Sequence, residues 1–264
     1  VDPTSKPKIQ ISPLETVSDI SVIEEYPVPI VKTEDRDLLS KDCRYIHSIN
    51  KLSAAYSGSL YEWSYYLRGR EKIYTDYYDQ PGLVENIIDK VVGLVDRMVA
   101  VNISCGIDIL CFFDDLGAQK GLQINPTTFR RFYKHHYKRI WKNIKKSHNE
   151  KYIFLHSCGD ISEIIPDLIE CGLDMLHPIQ PETMDVNKIA AEYGNDLILW
   201  GTISNQKTLS FGNSKDIYDE VWSRATQAGE KASMIISPSN TIGKDIPLRN
   251  ISSFIDACRM FTES

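Results

Sequence analysis

The 264-residue chain has no apolar run near the roughly 18–20 residues that a membrane helix needs. It also has no Gly-x-Gly-x-x-Gly or Walker-type loop after any apolar run, so a nucleotide-binding site has no support. Positive charge is not in excess, because 30 Lys and Arg stand against 36 Asp and Glu. The resulting net charge of −6 argues against a general nucleic-acid binder, which would present a basic face.

Cysteine is sparse, with six residues at positions 43, 105, 111, 158, 171 and 258. This wide spacing is not that of a disulfide framework, and several of these residues fall inside apolar runs. We therefore expect a reducing, cytoplasmic compartment. The polar N-terminus lacks the apolar core of a signal peptide. The chain starts with Val1 rather than Met, which is typical of a fragment or a processed chain.

Short apolar runs alternate with longer amphipathic stretches along most of the chain. Asn125-Pro126 is typical of a helix start, because Asn caps a first turn and Pro fits it. Repeated strand–helix units predict parallel strands joined by helical crossovers. Six runs predict strands, each followed by a helical pattern: 45–49, 108–113, 152–156, 174–177, 196–200 and 234–237.

We predict an α/β fold of the TIM-type (β/α)8 barrel class, in a single domain over residues 1–264. Six strand–helix units are two fewer than a closed barrel needs. We therefore expect the first strand or two to lie in the irregular segment 1–40 or to be absent through N-terminal truncation. Within that segment we predict loop and a short helix from Asp35 to Lys41. An open doubly wound sheet is the structural alternative.

The most informative segment is an apolar strand that ends in His156-Ser157-Cys158-Gly159-Asp160. Residues i and i+2 of an extended chain point to the same side, so the imidazole and the thiolate can reach one metal ion. Nitrogen and sulfur ligands of this kind suit zinc. A His-x-Cys pair alone is a weak signal, but a strand end is where barrel and open α/β enzymes keep their chemistry. We predict His156 and Cys158 as metal ligands.

Other predicted strand ends also carry polar residues, and together these provide the components of a polar pocket. Each has a structural explanation as well, such as turn capping for Asp or a packed, satisfied role for His. The set comprises Asn50, Asp114, Asp115, His177, Gln180, Gly201, Ser204, Ser237, Ser239 and Asn240. We predict catalytic roles for four of them: Asp114, Asp115, His177 and Gln180.

Several short motifs follow one another in a specific order between Tyr61 and Phe261: Gly106–Ile109, Asp114–Gln119, Asn125–Pro126, Phe129–Phe132, Leu155–Asp160, Ile165–Ile169, His177–Pro181, Trp200–Ile203 and Ser237–Asn240. In combination they resemble the uroporphyrinogen decarboxylase superfamily. The resemblance implies a (β/α)8 barrel with its site at the C-terminal mouth.

The superfamily divides by chemistry. One branch decarboxylates the acetate groups of a porphyrinogen without a cofactor, and it relies on an Arg-rich N-terminal segment that is not found in this chain. The other branch comprises zinc-dependent methyltransferases that work with corrinoid proteins, and its hallmark resembles His156-x-Cys158. The resemblance therefore implies a methyltransferase that moves a methyl group between a small substrate and a corrinoid-binding partner protein, with zinc as cofactor.

The sequence departs from that branch in the loop after the last strand. The branch often has a Cys ligand there, whereas this chain has Ser239-Asn240-Thr241. Asn would be a poor zinc ligand, so Asp114, Asp115 or His177 would have to substitute.

Two other roles follow from the same region of the sequence. Asp160 would cap the helix that begins near Ile161, and it could at the same time orient His156. Two alternatives to the methyltransferase stay open. One is a cofactor-free porphyrinogen decarboxylase, and the other is a catalytically idle family member or binding protein, which the Asn240 departure and the short N-terminus allow.

Overall fold

The computed structural model describes residues 12–30, 32–228 and 232–263. Its strands are β1 (Ala54–Gly58), β2 (Ile109–Phe113), β3 (Gly117–Ala118), β4 (Gly121–Leu122), β5 (Tyr152–His156), β6 (Met175–His177), β7 (Ile198–Trp200) and β8 (Met234–Ile235). Its α-helices are α1 (Ile20–Glu25), α2 (Thr33–Ser48), α3 (Tyr61–Arg68), α4 (Arg70–Asp79), α5 (Pro81–Ser104), α6 (Pro126–Phe129), α7 (His135–Ser147), α8 (Ile165–Cys171), α9 (Val186–Tyr193), α10 (Ser214–Ser223) and α11 (Leu248–Glu263).

Short turns of other helix types extend several of these helices. A π-helical turn at Arg130–Lys134 joins α6 to α7, and a 3₁₀ turn at Ser162–Ile164 leads into α8. Two further π-helical turns lie at Asn205–Leu209 and Arg224–Ala228. None of the helices in the described parts of the chain is both long and apolar enough to cross a membrane.

The strand order distinguishes the two predicted architectures. The main sheet has six strands in the order β1-β2-β5-β6-β7-β8, and β3 and β4 form a separate antiparallel hairpin. The pairs β1–β2, β6–β7 and β7–β8 are parallel. A doubly wound sheet reverses its strand order at a switch point, whereas a TIM-type barrel adds each strand beside the previous one. The α/β class is confirmed, and the order is that of the barrel.

The predicted strand at 45–49 is wrong, because these residues belong to α2 and the turn after it. Leu39, Cys43 and Ile46 turn inward at helical spacing, while Tyr45 and Ile49 are 66% and 50% exposed. The period is therefore that of a helix and not of a strand. Asn50 consequently does not end a strand; its φ of 55° lies in the turn that follows α2. The first strand in the described part of the chain is β1, whose small residues make a weak apolar signal.

The predicted helix at Asp35–Lys41 forms part of the longer α2, and α1 also lies within the segment expected to be irregular. The other five predicted strands agree with the structure to within a few residues at their ends, and a helix follows each of them. The described residues of the segment 1–40 contain no strand; residues 1–11 lie outside the described part of the chain. The single-domain organisation stays a prediction.

The described residues form two compact units, and the chain passes between them several times. The first unit comprises the described parts of 1–115, 124–154 and 170–172. Leu14, Ile23, Leu83 and Ile87 form one of its apolar clusters. Arg68, which is 1% exposed, donates to Asp76 at 2.6 Å and to the Val17 carbonyl at 2.6 Å. These bonds fix the N-terminal segment on α3.

The second unit comprises the described parts of 116–123, 155–169 and 173–264. It contains the carboxyl end of β5, the strands β6 to β8 and the helices α9 to α11. One of its apolar clusters is formed by Ile203, Leu209, Ile217, Val221, Ile246 and Ala257. Within this unit the carboxyl ends of neighbouring strands lie at one edge, which is where polar residues concentrate.

Candidate functional site

His156 and Cys158 lie side by side at the carboxyl end of β5, within the second unit. The Cys158 Sγ is 3.4 Å from His156 Nε2. Three buried residues of β5, Ile153 to Leu155, anchor the strand in apolar surroundings, while His156 and Cys158 are only partly buried. The strand therefore presents one imidazole nitrogen and one sulfur to a common point.

His177, at the end of β6, supports the other side of the His156 ring. The two Nδ1 atoms are 2.7 Å apart, and the rings are stacked with centroids 4.9 Å apart. His177 also hydrogen-bonds the backbone of Pro238, which offers only a carbonyl acceptor. Burial, with a smaller contribution from His156, lowers the pKa of His177 to about 4. His177 is therefore a neutral imidazole at pH 7.

These contacts determine which ring nitrogens carry protons. His177 uses Nδ1 toward His156, so it donates to Pro238 through Nε2 and keeps a lone pair on Nδ1. His156 must then donate from Nδ1, which leaves the lone pair on its Nε2 directed at Cys158 Sγ. We infer this tautomer from the network of partners. An imidazole whose other nitrogen donates in this way is the usual form of a metal-ligating His.

Asn240 approaches the same sulfur from the loop after β8. Its Nδ2 is 3.4 Å from Cys158 Sγ, while its Oδ1 accepts the Thr241 backbone N–H at 2.7 Å. The hydrogen bonds thus run in one direction through six residues, which we call the donor series: Thr241, Asn240, Cys158, His156, His177 and Pro238.

The turn after Cys158 is held by backbone approach and by Gln180. Gly159 has a φ of +86°, and a Cβ on it would lie 2.5 Å from the Ala118 nitrogen. A Cβ on Gly117 would lie 2.6 Å from the Cys158 carbonyl oxygen. The Gly159 N–H donates to Gln180 Oε1 at 3.1 Å. Gln180 is buried and contacts this turn, so the structure gives it a positioning role for Cys158.

Asp160 caps the following turn. Its Oδ1 accepts hydrogen bonds from the Ser162 backbone N–H at 2.9 Å and from the Ser162 hydroxyl at 2.6 Å. Of the two roles considered from the sequence, these contacts support the capping role. Ser157, between the two predicted ligands, accepts the Leu116 backbone N–H at 3.0 Å.

Gly201, at the end of β7, allows the His177 ring to pack closely. Its φ is +74°, and a Cβ on it would lie 2.5 Å from Cδ2 and 2.6 Å from Nε2 of His177. Asn205 was not identified from the sequence, although it anchors the Asn240 loop through its side chain. Its position directly after the predicted strand-end residue Ser204 was the available signal. The Pro238 carbonyl was missed because backbone acceptors leave no mark in a sequence.

Asp114 lies in the first unit and is fully buried. Its carboxylate accepts hydrogen bonds from the Leu60 N–H at 2.6 Å, the Glu62 N–H at 2.8 Å and the Ser59 and Tyr137 hydroxyls. Leu60, the N-cap of α3, makes no side-chain cap bond, so Asp114 caps that helix from the end of β2. Burial raises the pKa of Asp114 to about 6, although the four hydrogen bonds act in the opposite direction and lower it. These contacts favour a structural role, and the catalytic role stays a prediction.

Asp115 differs from its neighbour in burial and in surroundings. It is half-buried, whereas Asp114 is fully buried. It is the last residue of the first unit before the chain enters the segment 116–123 of the second. Its predicted catalytic role remains untested by these contacts.

Residues 49–261 match the model of the family described as uroporphyrinogen decarboxylase (URO-D). Two curated relatives are each 24% identical to the chain. One is a methylated-thiol–coenzyme M methyltransferase of Methanosarcina mazei, matched over 179 residues, which are 68% of this chain and 45% of that protein. The other is the methylcobamide:CoM methyltransferase MtaA of Methanosarcina barkeri, matched over 155 residues, 59% of this chain and 42% of that protein.

A solved structure, a methyltransferase from Methanosarcina mazei, aligns with a TM-score of 0.69 at 18% identity. The alignment covers 86% of this chain and 64% of that one. At this identity the likeness concerns the fold, and it agrees with the barrel-type strand order. The chain spans less than half the length of the two curated relatives it matches.

We expect Asp114→Ala to lower the free energy of unfolding by about 3 kcal/mol at pH 7, because four donors lose their acceptor. The raised pKa of Asp114 means that the folded state holds its proton up to about pH 6. The stability that this carboxyl contributes therefore falls as pH rises from about 4 to about 6. Urea denaturation should show a larger loss at pH 5 than at pH 7. Asp256→Ala, on the exposed face of α11, is the matched control.

We expect Gly201→Ala to displace the His177 ring, because the new methyl group would overlap it in a strained backbone conformation. The imidazole nitrogen chemical shifts of His156 and His177 should change, and unfolding should become easier by about 1–3 kcal/mol. Gly82→Ala, which lies in α5 and meets nothing within 4 Å, is the control; it should leave the imidazole shifts unchanged and should not make unfolding easier. Unaltered imidazole shifts in the Gly201 variant would contradict the packing described here.

Proposed function

Because this chain belongs to the uroporphyrinogen decarboxylase family, whose model it matches over residues 49–261, we propose that it is a zinc-dependent methyltransferase. It moves a methyl group between a small thiol or a similar substrate and a corrinoid carried by a partner protein. The observation that supports this most directly is the His156 Nε2–Cys158 Sγ pair at the end of β5. The names of the two curated relatives, both coenzyme M methyltransferases, support the reaction class.

The residues present fit a zinc ion. Zinc–sulfur and zinc–nitrogen bonds of about 2.3 and 2.05 Å at a tetrahedral angle place sulfur and nitrogen about 3.5 Å apart. The His156 Nε2 and Cys158 Sγ atoms lie 3.4 Å apart, which is close to that separation. When a cation replaces the thiol proton shared by Sγ and Nε2, the other hydrogen bonds of the donor series can keep their partners and directions.

Of the three substitutes that the sequence offered for the third ligand, Asp115 stays a candidate. Asp114 is excluded because its carboxylate already accepts four hydrogen bonds in the interior of the first unit. His177 uses its Nδ1 toward His156, and in the tautomer inferred above its other ring nitrogen donates to Pro238. Asp115 directly precedes Leu116, whose N–H is bound to Ser157 between the two ligands. A carboxylate is an accepted zinc ligand.

The surrounding residues orient these ligands. His177 fixes the tautomer and the plane of the His156 ring, and Gln180 fixes the turn that carries Cys158. When bound, zinc would supply a Lewis acid that lowers the pKa of a substrate thiol or polarises the leaving heteroatom of a methyl donor. Because both relatives are named for coenzyme M, a thiol is the substrate we favour. The corrinoid partner and a cytoplasmic location stay proposals.

A cofactor-free decarboxylase fits the second unit less well. Binding several carboxylates requires fixed positive charge, but its strand-end segments 156–160, 177–180, 200–204 and 237–241 contain neither Lys nor Arg. His177 adds no charge either, because burial lowers its pKa to about 4.

Zinc content tests the proposed ligand set. We expect the purified chain to bind about one equivalent of zinc at neutral pH, and His156→Ala or Cys158→Ala to weaken binding by at least about 100-fold. Asp115→Ala should weaken zinc binding while the chain stays folded, whereas Asp114→Ala should act mainly on stability. Cys258→Ser is the control for the loss of a thiol. Zinc content that is the same in the His156 variant as in the wild type would refute the site.

Methyl transfer tests the proposed reaction. With the zinc-loaded chain, the thiolate of 2-mercaptoethanesulfonate should take the methyl group from free methylcobalamin. The products are a methyl thioether and cob(I)alamin, which keeps the electron pair of the broken Co–C bond, and the change in visible absorbance measures the rate. The Cys158→Ala variant should lose most of this rate, because the residue that holds the Lewis acid is gone. Release of carbon dioxide from a porphyrinogen, without any methyl transfer, would instead favour the decarboxylase.

A further inference from the structure

Asn240 is oriented by its own neighbours so that its amide N–H faces the Cys158 sulfur. An amide has one acceptor end and one donor end. The Thr241 backbone N–H, 2.7 Å from Oδ1, fixes the acceptor end. The donor end, Nδ2, is therefore the group that lies 3.4 Å from Cys158 Sγ. An amide nitrogen has no lone pair for a metal, so in this orientation Asn240 is a donor to the sulfur and not a ligand.

The loop that carries Asn240 is held by residues of the segment that follows β7. The Asn205 side chain, 8% exposed, donates to the carbonyls of Asn240 and Thr241, each at 3.0 Å. The Asn205 backbone N–H donates to Ser239 Oγ at 3.3 Å, and the Ser239 N–H donates to the Ile203 carbonyl at 2.8 Å. Because the backbone on both sides of the side chain is held, turning Oδ1 toward the sulfur would break the bond to Thr241.

We propose that Asn240 is a positioning residue of the metal centre, which it serves by donating a hydrogen bond to the Cys158 thiolate. The inference rests on the proposed zinc site. The bond holds the sulfur in place and draws charge from it, so the thiolate gives less charge to the metal. A metal bound by one thiolate whose charge donation is reduced by this hydrogen bond is a stronger Lewis acid than a metal bound by two thiolates.

Cobalt(II) in place of zinc provides a spectroscopic test, because its sulfur-to-metal charge-transfer absorption reports both the number of thiolates and their donor strength. The wild-type chain loaded with cobalt should show the intensity of one thiolate. Asn240→Leu removes the donor at similar size, so it should keep the cobalt stoichiometry and move the band to lower energy. Asn240→Cys should about double the intensity and tighten zinc binding by about 10–100-fold, since a second soft ligand is added.

Thr241→Val is the matched control, because Thr241 contributes only backbone groups to the donor series, and its band should equal that of the wild type. Loss of cobalt from Asn240→Leu alone would show that Asn240 is a ligand. A band at unchanged energy in that variant would show that the sulfur receives no bond from it. Either result overturns the role of Asn240 and leaves the zinc site standing. Absence of cobalt and zinc from the wild type and the Thr241 control would instead overturn the site and the proposed function with it.

Discussion

The second unit is organised around a hydrogen-bond series in which every donor points the same way. The series begins at a backbone N–H and ends at a backbone carbonyl, with four side chains between: Asn240, Cys158, His156 and His177. Because both ends are fixed by the main chain, reversing one member would leave two donors or two acceptors facing each other. This constraint presents one nitrogen lone pair to one sulfur.

The backbone around the series is shaped to allow these contacts. Gly117 and Gly159 let two segments cross so closely that any side chain there would overlap backbone atoms, and Gly201 leaves room for the His177 ring. Gln180 and Asn205, both buried, then bind the two turns that carry Cys158 and Asn240. His156 and Cys158 are thus held in place in two ways. Glycines allow close packing around them, and buried amide side chains hydrogen-bond the nearby backbone. A precise ligand geometry requires support of this kind.

Two adjacent carboxylates, Asp114 and Asp115, illustrate how context separates identical side chains. Asp114 points into the first unit, where it caps α3 and accepts four hydrogen bonds. Asp115 is half-buried and precedes the segment that is bound to Ser157. From the sequence both are strand-end acids of equal standing. Only the packing, which buries one of them in a set of donors, makes the two different.

The sequence by itself determined the alternation of strands and helices and the same-side placement of His156 and Cys158, because these follow from local periodicity and spacing. The family resemblance was carried by the order of its short motifs. The strand predicted at 45–49 was wrong, because a short run that contains Tyr45, Ile46 and Ile49 resembles a strand although it belongs to α2 and its following turn. The tautomers of His156 and His177, the donor role of Asn240 and the burial of Asp114 were decided by tertiary structure. Each of these depends on a partner 21 to 82 positions away in the chain. A local sequence pattern does not encode which ring nitrogen, or which end of an amide, will face such a distant partner.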